Sequence, residues 1–96
     1  DFQVRIFPVE LFLTTLHRNQ TPRFQEAGLS LDLLLPEKVL LAKGDEGLLA
    51  QALTYLLTNA LHYTPVGGRV TLSAGQEANR VWLRVQDSGI GIAPHE

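Results

Sequence analysis

Between Glu46 and His62 the chain carries Leu48, Leu49, Ala52, Leu53, Leu56, Leu57, Ala60 and Leu61 at the three- and four-residue intervals that line one helix face. A stripe this broad has to be buried against another layer, so the chain is constrained to a packed domain in which this helix lies on a partner element. Asp45 stands where its side chain can cap the helix start. The polar side is equally informative. Gln51, Tyr55 and Asn59 follow at intervals of four, and His62 and Tyr63 continue the row one turn later. Solvent-facing stripes usually carry Lys and Glu. Amides, aromatics and a histidine point to a face that meets something other than bulk water.

The remaining pattern supplies the partner layer. Phe2, Val4 and Ile6 alternate with Gln3 and Arg5 as in a half-buried strand. Pro8 ends it and suits the first turn of a helix, where a missing N–H costs nothing. Val9, Phe12, Leu13 and Leu16 recur at helical spacing, the pattern resumes at Phe24 and Ala27, and Gly28 is a natural stop. Pro22, inside this stretch, predicts a kink or a break. Leu29, Leu31, Leu33 and Leu35 mark a second strand ending at Pro36, and Val39 to Ala42 a short strand or an extended link. Lys43-Gly44-Asp45 reads as a turn, and Thr64-Pro65-Val66-Gly67-Gly68 as a loop. Val70, Leu72 and Ala74, then Val81, Leu83 and Val85, form two strands of a hairpin joined through Gly75 to Asn79. This order predicts an α+β, two-layer sandwich with a mixed sheet covered on one face by the helices. Arg84 and Gln86 make the other face partly polar, and Trp82 reads as packing there.

At 45% hydrophobic residues in a chain of 96, a real core can form. Lys and Arg are scattered through a chain of net charge −2, which argues against nucleic acid as a partner. With no cysteine there is no disulfide framework, thiolate nucleophile or thiolate metal site. No apolar run is long enough to span a bilayer, and no signal peptide is visible. Asp1 leads almost directly into a strand pattern and His95-Glu96 follows a glycine loop, so the chain reads as a piece of something longer.

Asparagine is a weak helix former, so Asn59 in mid-helix needs a reason. Its amide oxygen suits the shell of a hard cation such as Mg²⁺, which binds few protein oxygens and keeps phosphate oxygens and waters; taken alone, a solvated or backbone-bonded asparagine is the more economical reading. Asp87-Ser88-Gly89-Ile90-Gly91-Ile92 places a carboxylate at a strand end before two glycines, where it can accept a hydrogen bond from a ligand amino group while the backbone approaches closely. By itself this is a common turn. Separated by one hairpin and preceded by Tyr63-Thr-Pro-x-Gly-Gly68, the two become far more specific together.

The segment from Gln51 to Pro65 resembles the N box of histidine-kinase ATP-binding domains, and Asp87 to Ile92 resembles their first glycine box. That family belongs to a wider group containing DNA gyrase and the mismatch-repair protein MutL. Phe7-Pro-Val-Glu-Leu11 is similar to the family's strand-to-helix junction, so the resemblance covers nearly the whole chain. It implies the Bergerat-type sandwich, with ATP and Mg²⁺ as cofactors. Carried over, Asn59 would be the Mg²⁺ ligand, Asp87 would accept from the adenine amino group, and Gly89 and Gly91 would shape the loop beside the nucleotide. Tyr63 would lie against the adenine ring with Ile92 as apolar lining. His62 stands where the family often has a lysine or arginine aimed at phosphate, so phosphate affinity is expected to be weaker and sensitive to pH.

The resemblance further implies a sensor histidine kinase of a two-component system. Such a parent transfers the ATP γ-phosphoryl group to a histidine on an adjoining helical domain, and then to a response regulator. A cytoplasmic location follows, with or without a membrane anchor in the parent. Two departures qualify this. Tyr55 occupies the position where hydrolysing relatives have a glutamate base, and tyrosine is a poor base near neutral pH. The F box, ATP lid and second glycine box are absent, so the domain is expected to be incomplete at its C-terminus and to bind ATP weakly by itself. Apolar surface left open favours self-association, a homodimer included. No catalytic residue is assigned within the chain; His17 and His95 read as solvated surface histidines. The alternatives are a docking or dimerisation module with degraded nucleotide binding, and another ATPase or serine kinase of the wider group.

Overall fold

The computed structural model describes residues 3–88. Strand β1 (Arg5–Pro8) leads into helix α1 (Val9–Glu26), followed by β2 (Ser30–Leu34), β3 (Leu41–Gly44), helix α2 (Glu46–Tyr63), β4 (Arg69–Glu77) and β5 (Arg80–Asp87). β2 pairs in parallel with β4 and β4 antiparallel with β5, giving a mixed three-stranded sheet in the order β2-β4-β5. β1 and β3 form a separate antiparallel pair. Both helices pack on the sheet, α1 against β2 and β4, and α2 against β4 and β5. This is the expected two-layer α+β sandwich, with the first ladder split from the main sheet.

The core lies between the layers. α1 contributes Val9, Leu13, Leu16 and Phe24; α2 contributes Leu53, Leu57 and Ala60; the sheet answers with Leu31, Val70, Leu72, Ala74 and Val85. On β4 and β5 the alternation sets Val70, Leu72, Ala74 and Val85 toward the helices. Trp82 and Arg84 take the other side, where the guanidinium carbon stands 4.5 Å from the ring centroid. The packed stripe of α2 is narrower than the sequence suggests, because Leu48 is exposed at the first turn.

Four local readings change. Val4 and Ile6 are exposed, while Phe7 is 3% exposed and rests against Phe12 with ring centroids 5.2 Å apart. The burial phase of β1 is therefore the opposite of the one its alternation suggests, because the aromatic contact to α1 outweighs the smaller aliphatics. α1 runs through Pro22 as one helix and ends where Leu29 N–H reaches the Phe24 carbonyl and Gly28 N–H the Gln25 carbonyl. Lys43 and Gly44 belong to β3, not to a turn, although Asp45 does cap α2, accepting from Leu48 N–H at 3.1 Å. The hairpin is tighter than expected: Glu77 pairs with Arg80, and Ala78 turns the chain at a φ of 54°.

Candidate functional site

Topology brings the end of α2 and the end of β5 to one place. α2 finishes at Tyr63, the Thr64–Gly68 loop follows, and β4 begins at Arg69, whose neighbour Val70 is in register with Asp87 at the end of β5. The junction is fastened from two sides. Arg69 N–H donates to Ser88 Oγ and Ser88 N–H donates to the Arg69 carbonyl, each at 2.8 Å. On the other flank Gly67 N–H donates to the Gly28 carbonyl at 2.8 Å, and Ser30 N–H to the Gly68 carbonyl at 3.1 Å. The loop itself is closed by Gly68 N–H on the Pro65 carbonyl at 2.9 Å. Asp87 is therefore held at the rim of a braced strand end, half-buried.

The polar stripe of α2 runs to the same end. Gln51, Tyr55, His62 and Tyr63 are exposed and Asn59 is half-buried beside the buried Ala60. No hydrogen bond engages the Asn59 side chain among the described residues, so its amide oxygen is not committed to the fold. The described residues hold no group of three or more His, Cys, Asp or Glu suited to a metal ion. One uncommitted amide oxygen fits only an ion that takes most of its ligands from phosphate and water, which is the habit of Mg²⁺. Tyr63, 61% exposed, offers an open ring face immediately before the loop. Gly89, Gly91, Ile92 and His95 lie outside the described residues.

Sequence reading passed over two residues here. Ser88 looks like a turn residue, and its bracing of Arg69 depends on a pairing across the hairpin that no local pattern reveals. Thr64 looks like the first polar residue of a loop. In the fold it continues the buried row of α2 (Leu53, Leu57, Ala60, Thr64) and is only 7% exposed. Its N–H closes on the Ala60 carbonyl at 3.0 Å, but its Oγ1 is buried with no hydrogen-bond partner among the described residues. A buried hydroxyl left in that state costs about 1–3 kcal/mol. Gly68 lies between this threonine and the strand end: a β-carbon there would stand 2.4 Å from Thr64 Cγ2 and 3.5 Å from Ser88 Oγ.

His17 also departs from expectation. It is half-buried, and its Nε2 lies 2.6 Å from the Leu31 carbonyl, tying α1 to β2. A largely apolar groove of about 490 Å³, lined by Ile6, Leu11, Phe12 and Ala50 among others, opens at the other end of α2 from Asp87. It holds none of the polar groups just described.

A family model described as histidine kinase-, DNA gyrase B- and HSP90-like ATPase matches residues 44–96. The sensor protein DivL of Caulobacter vibrioides is 46% identical over 71 residues, which is 74% of this chain and 9% of DivL. Full-length ShkA in complex with AMPPNP superposes with a TM-score of 0.81 at 30% identity, over 98% of this chain and 20% of that one. Histidine kinase ThkA in complex with the response regulator protein TrrA gives a TM-score of 0.83 at 16% identity, over 96% of this chain and 28% of that one; this is a likeness of fold. The chain spans only a small part of the length of each of these three proteins.

Proposed function

Since this chain belongs to the family of histidine kinase-, DNA gyrase B- and HSP90-like ATPases, we propose that it forms the front part of the ATP-binding domain of a sensor histidine kinase. The observation that carries the reading is the convergence of the Asn59-bearing end of α2 with the Asp87 end of β5 across one braced loop. In this reading the Asp87 carboxylate accepts from the adenine amino group, and Tyr63 covers the ring. Asn59 contributes an oxygen to Mg²⁺, His62 offers a hydrogen bond to phosphate, and Gly89, Gly91 and Ile92 complete the adenine side. The ion, when bound, neutralises charge developing on the phosphates. The chain's own residues bind and orient the nucleotide.

In the parent the γ-phosphoryl group passes to a histidine on an adjoining helical domain and then to a response regulator. The ShkA–AMPPNP and ThkA–TrrA complexes support the nucleotide and the regulator as partners. The lid, F box and second glycine box would follow in the parent, whose domain faces the cytoplasm; self-association of the chain through its apolar surface belongs to the same reading. Exposed Tyr55 in place of a glutamate weighs against hydrolysis as the main activity.

Calorimetric titration of the full-length parent with ADP, with and without Mg²⁺, tests this. Asp87→Asn should weaken binding by about 10- to 100-fold, the range for a hydrogen bond to a charged group. Asn59→Ala should abolish the gain in affinity that Mg²⁺ gives the wild type. If both variants bind as the wild type does, the assignment is wrong.

A further inference from the structure

We propose that Thr64 is a specificity-determining residue, its hydroxyl donating to the N1 edge of the base whose amino group Asp87 accepts. This rests on the adenine-nucleotide reading above and gives a role to a residue within the first motif that had none assigned and that lies off the polar stripe of α2.

The buried row of α2 is apolar at Leu53, Leu57 and Ala60 and turns polar at Thr64. The helix-facing row of β5 is Val81, Leu83 and Val85, and turns polar at Asp87. Both changes fall at one end of the sheet, because the loop after α2 starts β4 beside the end of β5. Two facing elements thus place one polar group each at the same end of a shared apolar interior. Ser88 Oγ and the Thr64 methyl flank Gly68, so only a residue without a β-carbon lets the two walls approach this closely.

The chemistry of the pair is directional. A carboxylate only accepts, whereas a hydroxyl can donate as well as accept. Adenine presents an amino donor at C6 and an acceptor at the adjacent N1. Guanine presents an acceptor at O6 and a donor at N1, the reverse order. An Asp–Thr pair therefore matches adenine at both positions; the carboxylate opposes guanine at O6, and the hydroxyl rewards the unprotonated N1 of adenine. The Thr64 Oγ1 has no partner among the described residues, so making this bond breaks none of theirs.

The experiment compares ATP with 1-deaza-ATP, which lacks N1, in the full-length parent carrying the wild-type residue, Thr64→Val or Thr64→Ser. The wild type should bind 1-deaza-ATP about five- to tenfold more weakly than ATP, the size of one neutral hydrogen bond. Thr64→Val, which keeps the shape and removes the hydroxyl, should bind both at the weaker level, and Thr64→Ser should restore the preference. Without nucleotide, Thr64→Val should melt no lower than the wild type, since it removes a buried unpaired hydroxyl. A purely structural threonine would instead lower the melting temperature and leave the ratio of the two affinities unchanged. Equal wild-type binding of ATP and 1-deaza-ATP overturns the proposal, and does so even if the valine variant fails to fold. Should the wild type bind ATP and Asp87→Asn lose it while Thr64→Val keeps the full preference, this inference alone falls. Absence of ATP binding by the wild type removes the nucleotide reading and this inference with it.

Discussion

At the scale of single residues, the junction before α2 shows how local chemistry fixes an element. Asp45 Oδ2 accepts from Gln3 N–H at 2.9 Å while Oδ1 accepts from Leu48 N–H, so one carboxylate caps α2 and ties down the approach to β1. The Gln3 bond, then the Leu48 bond, holds its pKa below the ordinary carboxylate value. A depressed folded-state pKa adds stability at pH values above the unfolded pKa, and that stability is lost as pH falls through the folded value. Asp45→Asn keeps an acceptor but cannot titrate. Melting curves below about pH 4 should therefore converge, the wild type losing stability faster than the variant; parallel curves would show that the carboxylate contributes nothing through its charge. The cap was readable in the sequence, since an Asp directly before an apolar-periodic run has few other uses. The tie to Gln3 was not, because it joins residues that only the β1–β3 pairing brings together.

At the scale of elements, what was legible depended on whether one neighbour or several decided the outcome. The buried faces of α2, β4 and β5 follow their periodicities, although the stripe of α2 narrows at Leu48 and the hairpin turn is tighter than read. That of β1 does not: Val4 and Ile6 carry the alternation, yet the contact of Phe7 with Phe12 sets its phase. α1 survives Pro22 because burial of Leu13, Leu16 and Phe24 on both sides of it, with the His17 bond to the Leu31 carbonyl, holds the helix on the sheet. The outer face of the hairpin gives a testable case. Trp82 is in register with Gly75, and a β-carbon on that glycine would stand 2.2 Å from the indole Cζ2. Gly75→Ala must push the ring out and disturb its contact with Arg84. The cost should be about 1–3 kcal/mol, as for an overpacked site. Trp82 is the only tryptophan, so denaturation followed by its fluorescence reports both the loss and the ring's exposure. An unshifted emission spectrum with unchanged stability would mean that the indole does not depend on this space.

Across the whole molecule, two unlike ends flank α2. One presents the largely apolar groove of Ile6, Leu11 and Phe12, which Arg5, Asn19 and Glu46 also line and which contains none of the residues given roles in the two motifs. The other gathers Asn59, His62, Tyr63, Thr64 and Asp87 around the Pro65–Gly68 turn. The second end was largely visible in the sequence, because its residues occur in two motifs at fixed separation. Thr64 and Ser88 were not visible, since their importance comes from burial and cross-strand pairing, which no spacing rule encodes. The central claim is that chemistry belongs to this second end. Backbone amide shifts of the isotope-labelled domain with its downstream sequence, followed through a titration with Mg-ADP, locate the ligand directly. The largest changes should fall at residues 59–68 and at Asp87 and Ser88, with Ile6, Leu11 and Phe12 still. Changes centred on that apolar groove, or none at saturating nucleotide, would contradict the account.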